Sequence, residues 1–329
     1  MSYPRQDSVS RRLHDEIWRA LDAERDVGRG HLEELWDGYR KELRLAILTA
    51  YDQAAHENGK WSLPSYRKIG IESYLAQVIH NILARFYNVA QKAVAQRMAH
   101  MKAQAARRYA YVLDQMTPDS MRVRVPDYAS SREARVFNII PDTVWQDRWG
   151  QWVASYEQAL RNNLAMNAMN QSDLKDAMDE VDATRVNTPA STLKDALFRM
   201  YEHLAEHSIA GGEDDVARMN DELMDEEIWK TRGGACDDCL ANDGLTIEES
   251  DGDIPLHPNC RCRWVVVPRG YSDLLRSGNS ADRELADEME RRGIVPEGIV
   301  VRDDDGNVIG RAIVSFSEWS QGQQVGVIG

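Results

Sequence analysis

The sequence predicts a mainly α fold: long N-terminal helices, a small α+β module, and a C-terminal helix plus β-hairpin. Three observations carry this expectation. Apolar residues recur at helical spacing over most of the first 220 positions. Strand-like runs are confined to a few short segments. All four cysteines fall between Cys236 and Cys262, where the chain reads Cys236-Asp-Asp-Cys239 and then His257-Pro-Asn-Cys260-Arg-Cys262.

Leu13, Ile17 and Leu21 open the helical pattern, and Gly28-Arg-Gly30 is expected to weaken or bend it. Leu32, Leu35, Tyr39, Leu43 and Ile47 resume the period to about Ala55. Asn58-Gly59 and Pro64 mark a loop, and a long helix is predicted from about Ile71 to Met116, ended by Pro118. Met121 to Val125 alternates apolar and basic residues, a short strand pattern limited by Pro126. Pro141-Asp142 opens another helix. Trp145, Trp149, Trp152 and Tyr156 form an aromatic stripe on it, read as a buried seam between helices.

A helix is predicted after Pro189, with Ser191 as N-cap and Gly211-Gly212 as its stop. A further helix should run from about Asp214 to Asp225. Trp264 to Val267 is an apolar, β-branched strand candidate stopped by Pro268. Asp273 to Arg292 reads as a helix. Ile299 to Val301 and Val308 to Val314 read as a hairpin around Asp303-Asp-Asp-Gly306-Asn307, with a frayed tail from Ser317. The expected organisation is thus a long-helix region (1–118), a helical region with a short strand (119–228), a Cys/His module (229–269) and a C-terminal helix, hairpin and tail (270–329).

The formal charge of −14 is unevenly spread. Residues 1–59 carry 9 basic and 12 acidic side chains, residues 60–136 carry 13 and 5, and the rest carries 18 and 37. An acidic body argues against a protein that is mainly a nucleic-acid binder. The basic middle, residues 60–136, is a candidate contact for packaged DNA, although a solvated helix face is the plainer reading. No apolar run is long enough to span a membrane and no secretory signal is visible at the N-terminus. A reducing compartment then favours metal over disulfides for the clustered thiols.

Two thiols two residues apart can grip one ion from a single turn, and a second Cys/His group about twenty residues on can close a tetrahedron. The candidate ligands are Cys236, Cys239, His257, Cys260 and Cys262, five groups for four positions, and the expected ion is Zn2+ in a closed structural site. The Cys-only set and the sets containing His257 both remain open. Asp237 and Asp238 are expected in water, and Arg261 is expected to help neutralise the thiolates. No catalytic residues are assigned. His203-Leu-Ala-Glu206-His207 matches the His-x-x-Glu-His form of some zinc peptidases, so a zinc-dependent hydrolase using His203, Glu206 and His207 is the enzyme alternative. A zinc-knuckle nucleic-acid-binding protein is the third reading.

The run Trp229-Lys230-Thr231, Cys236-Asp-Asp-Cys239, Asp243-Gly244, His257-Pro-Asn-Cys260-Arg-Cys262 resembles the signature of the MuF-like minor head proteins of tailed phages, the head-morphogenesis family. The close likeness covers about Trp229 to Val267. Upstream it is one of helical character, and Arg199-Met-Tyr-Glu202 is only a loose counterpart of a helix element common in the family. The resemblance implies a virion protein of several copies per particle at the portal and capsid interior. It implies a part in head morphogenesis, and in DNA packaging or ejection. The implied partners are the portal protein and a major capsid or scaffolding protein.

Overall fold

The computed structural model describes residues 4–54, 70–116, 123–128, 142–186, 192–232, 235–250, 254, 256, 260–268, 294–295, 298–299 and 316–325. The chain is mainly helical. In order, the elements are α1 (Pro4–Ala54), α2 (Ile71–Met116), α3 (Asp142–Met169), α4 (Leu174–Ala183), α5 (Leu193–Met219), β1 (Met224–Lys230), α6 (Asp237–Ala241), β2 (Arg263–Pro268), β3 (Ile294–Val295), β4 (Gly298–Ile299) and α7 (Phe316–Val325). A short 3-10 turn, Asp221–Leu223, precedes β1. Among the described residues no helix is long and apolar enough to cross a membrane.

The chain divides into two compact units, neither continuous in sequence. Unit 1 comprises residues 1–24, 99–136 and 205–329, and unit 2 comprises residues 25–98 and 137–204.

Unit 2 is a helical assembly with an aromatic interior. Trp36, Phe86, Trp145, Trp149 and Tyr156 are buried, and Trp36 meets Phe86 and Tyr156 edge-on at 5.3 and 5.9 Å between ring centroids. Such edge-to-face pairs add to the stabilisation from area burial. The predicted stripe on α3 is thus a seam, with Trp152 at its half-buried margin. The Tyr156 hydroxyl donates to the Val181 carbonyl at 2.6 Å, tying α3 to α4. Asp182 receives Arg40 and Arg44 at 3.2 and 2.5 Å.

Gly28-Arg-Gly30 does not break α1, which continues to Ala54. A Cβ on Gly28 would lie 2.0 Å from the Tyr201 hydroxyl, so this glycine makes room for a buried tyrosine. The N-cap of α5 is Thr192 rather than Ser191: the Asp195 N–H donates to the Thr192 hydroxyl oxygen at 3.2 Å, and the hydroxyl donates to the Asp195 carboxylate at 2.8 Å. This reciprocal pair satisfies an otherwise orphaned donor of the first turn.

Unit 1 packs segments of α1, α2 and α5 with a two-stranded antiparallel sheet. Leu13, Ile17, Trp18 and Leu21 of α1, Met101, Ala105 and Tyr109 of α2, and Ile209 and Val216 of α5 are buried. The sheet pairs Trp229 with Trp264 and Lys230 with Arg263, with an irregularity between Met224 and Glu226. The predicted strand at Trp264–Val267 is present. The hydrophobic pattern that suggested a helix to Asp225 ends earlier, and Met224–Lys230 is strand.

Gly211-Gly212 does not stop α5, which runs on to Met219. A Cβ on Gly212 would stand 2.3 Å from the Lys102 carbonyl oxygen and 3.0 Å from the Ala105 Cβ, so the glycine permits close approach to α2. Of the strand predicted at Met121–Val125, the described residues 123–125 carry none: residues 123–128 have no regular structure. There the Arg124 N–H donates to the Asn220 side-chain oxygen at 2.7 Å, and the Asn220 amide returns a bond to the Arg124 carbonyl at 2.9 Å. A side-chain amide takes the place of a neighbouring strand.

The tail is not frayed over Phe316–Val325, which forms α7. Phe316 and Trp319 pack on Tyr111, Arg108 lies 4.5 Å over the Phe316 ring, and the Trp319 indole N–H donates to Asp114 at 2.8 Å. Gly298–Ile299 pairs with Ile294–Val295. The expected helix at 273–292 and the hairpin residues 301–314 lie outside the described residues.

Candidate metal centre

The site grows from β1. Its Trp229 backbone is bonded on a second side: the Trp229 N–H donates to the Leu245 carbonyl and the Gly244 N–H to the Trp229 carbonyl, both at 2.8 Å. Asp243 accepts the Thr231 N–H at 2.7 Å and the Thr231 hydroxyl at 2.9 Å. These bonds, with Lys230 close by, hold the Asp243 carboxyl below its ordinary range despite partial burial. Gly244 has φ +88°, a conformation that costs an L side chain energy. Trp229, Thr231, Asp243 and Gly244 thus close one knot, and its Trp229 packs with the cysteines.

Cys236 caps α6, whose Leu240 N–H bonds to the Cys236 carbonyl at 2.9 Å. This turn points Cys239 inward, leaving Asp237 and Asp238 exposed as expected. Cys260 and Cys262 arrive just before β2 begins. Cys239, Cys260 and Cys262 are each at most 2 % exposed, and their sulfurs lie within 4.8 Å of one another. Trp229 and Ile254 pack with them, flanked by Ala210, Leu256 and Trp264.

The Cys239 and Cys260 sulfurs stand 3.6 Å apart. A disulfide requires about 2.05 Å. Four sulfurs at about 2.3 Å from one ion would sit about 3.8 Å apart, close to the separation seen. All four cysteines are free.

The three buried thiols do not ionise alike. Cys260 is pulled down to about 5, chiefly by the Cys262 S–H and then by the backbone N–H groups of Cys262 and Leu256. Burial pushes Cys239 up to about 12, and Cys262 is pushed up first by its hydrogen bond to Cys260. One thiolate forms easily, and the others resist because negative charge would accumulate in a dry space. A cation removes that resistance, and the soft, buried donor set fits a metal ion.

The structure brings together Cys239, Cys260 and Cys262 and places Cys236, half-buried, at hydrogen-bonding distance of Cys239. His257 lies outside the described residues. Among the described residues this trio is the group of metal-ligand side chains whose donor atoms converge.

Glu206 of the His203/Glu206/His207 motif is 1 % exposed and ion-paired with Arg263, a partner that competes with any role as a base. Burial lowers the His203 pKa, with help from Arg148. Arg261 is exposed. The buried arginine beside the thiols is Arg263, whose Nη1 donates to the Cys262 carbonyl at 2.8 Å. Sequence reasoning missed Arg263; the available signal was a charged residue opening an otherwise apolar strand.

Comparisons with protein-family models, with curated proteins and with solved structures return no match.

Proposed function

We propose that this chain is a structural minor head protein of a tailed phage, in which one Zn2+ clips the cysteine module to the helices of unit 1. The observation that carries the reading is the convergence of Cys239, Cys260 and Cys262 against Trp229, whose backbone is held in the knot with Thr231, Asp243 and Gly244. Three of the residues that draw the likeness to the MuF-like proteins, Trp229, Asp243 and Gly244, have physical tasks there. The indole fills the core beside the sulfurs, the carboxylate ties Thr231, and the glycine supplies the positive φ. Zinc suits a buried all-sulfur set because it is redox-inert and accepts tetrahedral thiolates.

On this reading the chain acts in head morphogenesis, in several copies at the portal and capsid interior. Its partners are the portal protein and a major capsid or scaffolding protein. The test has two parts. Metal analysis of the purified chain should give one zinc per chain. Mass spectrometry of particles purified from the host that encodes it should find the chain at low copy beside the portal protein. Particles lacking the chain would overturn the virion role, and a chain purified free of metal would overturn the clip.

A further inference from the structure

Arg263 is 1 % exposed and carries a full positive charge into the core of unit 1. Its guanidinium reaches three ways. Nη1 donates to the carbonyl of Cys262, Nη2 pairs with Glu206 of α5, and Nε lies 3.7 Å from Glu213 of the same helix. Glu213 also accepts the Trp18 indole N–H from α1 at 3.3 Å. Glu206, Glu213 and Trp18 are themselves at most 3 % exposed. One cation thus faces two buried carboxylates. Burial lifts Glu213 to about 7 against the pull of Arg263, so near neutrality the cluster can hold one proton and no net charge.

Burying a guanidinium is costly, and well-packed apolar residues of similar volume often stabilise a core as well or better. An apolar residue could not grip a cysteine carbonyl. The planar fork of arginine can hold an acceptor on one arm and a carboxylate on the other, where an ammonium offers a single point charge. One turn beyond Glu206, Ala210 packs against the cluster formed by Trp229, Ile254 and the three cysteines, so this face of α5 borders the core that holds them.

The geometry assigns Arg263 as a positioning residue for the thiolate site: it fixes the Cys262 carbonyl to the Glu206 carboxylate, so that the helical body of unit 1 holds the sulfur geometry. The inference rests on the reading that the three sulfurs hold a metal. It makes metal affinity a property of α5 as well as of the cysteine segments.

The experiment uses the full chain and titrates Zn2+ and Co2+ against a chromophoric chelator in the wild type, Arg263→Lys, Arg261→Lys and Glu206→Gln. Arg263→Lys keeps the charge and loses the fork. It should weaken metal affinity about tenfold or more, the range for residues that orient metal ligands. It should also change the thiolate-to-cobalt charge-transfer spectrum. Arg261→Lys, at the exposed neighbour, should match the wild type in both.

An Arg263→Lys chain that melts earlier yet keeps wild-type affinity and spectrum would overturn the inference, because that is the signature of a merely structural role. Should Arg263→Lys fail to fold, Glu206→Gln retains a neutral acceptor for the guanidinium. It should give a smaller but measurable loss of affinity, and an unchanged affinity would overturn the inference. A wild-type chain that takes up neither metal would fail earlier, at the metal reading itself, and is thereby distinguished.

Discussion

Unit 2 and unit 1 are both built on helices, yet their interiors differ in kind. Unit 2 buries Trp36, Phe86, Trp145, Trp149 and Tyr156, and its ion pairs to Asp182 sit in partly exposed positions. Unit 1 buries His14, Glu206, Glu213, Arg263 and three thiols. The first interior is held by volume and shape. The second adds to its apolar packing charges and donors that must each be matched, so its stability depends on pH and, on the proposed reading, on metal. The comparison sets two regimes side by side, one governed chiefly by packing volume and one in which buried charges must also be matched.

The largest expected effect tests the volume regime. Trp149→Ala should destabilise unit 2 by about 3–5 kcal/mol, read by denaturant melts, with little dependence on pH or chelator. A comparable effect tests the matched regime. Stripping metal from unit 1 with a chelator should cost about 4 kcal/mol when free zinc had stood near 1,000 times its Kd. Hydrogen exchange should locate the loss at β1, β2 and α6. If protection falls equally in unit 2, the two regimes are not separate.

The proton linkage has a definite sign. Glu213 is raised to about 7 from 4.5 by burial, so its contribution is fully present below pH 4.5 and lost as pH rises through 7. His14 is lowered to about 3 by burial, so its contribution is present above pH 6.5 and lost as pH falls through 3. Between pH 4.5 and 6.5 the two slopes oppose each other. Glu213→Gln removes the first slope. The variant should therefore gain about 3 kcal/mol over the wild type between pH 4.5 and pH 7. A difference that stays constant across that range would remove Glu213 from the linkage.

Smaller effects sharpen local claims. Gly212→Ala should cost about 1–3 kcal/mol by forcing α5 away from the Lys102 carbonyl. Thr192→Ala should cost about 1 kcal/mol through the lost cap of α5.

Much of the fold was legible because periodicity reports on long helices. Ile71–Met116 emerged with the predicted ends, and Trp264–Val267 was visible as a β-branched run. The glycine expectations failed for one reason. At Gly28 and Gly212 the missing Cβ serves a partner distant in sequence, and local propensity carries no information about such a partner. Asn220 misled in the same way, since nothing at Met121–Val125 announces an amide about a hundred residues away. In the site, spacing exposed the cysteines because metal chelation is local in sequence. Arg263 and Glu206, 57 residues apart, were hidden because their relation exists only once α5 and β2 are packed.

The nesting of the two units in the chain also bears on how the protein is made. Unit 2 has all its residues once position 204 has left the ribosome, whereas unit 1 must keep its first 24 residues waiting for segments that come last. Domains tend to close as their residues emerge. During synthesis the aromatic interior can therefore assemble first, while the start of α1 can meet α2 early but gains Glu213 of α5 and Val266 of β2 only later. For that interval the core of unit 1 is only partly built, and its completion waits on residues 205–329.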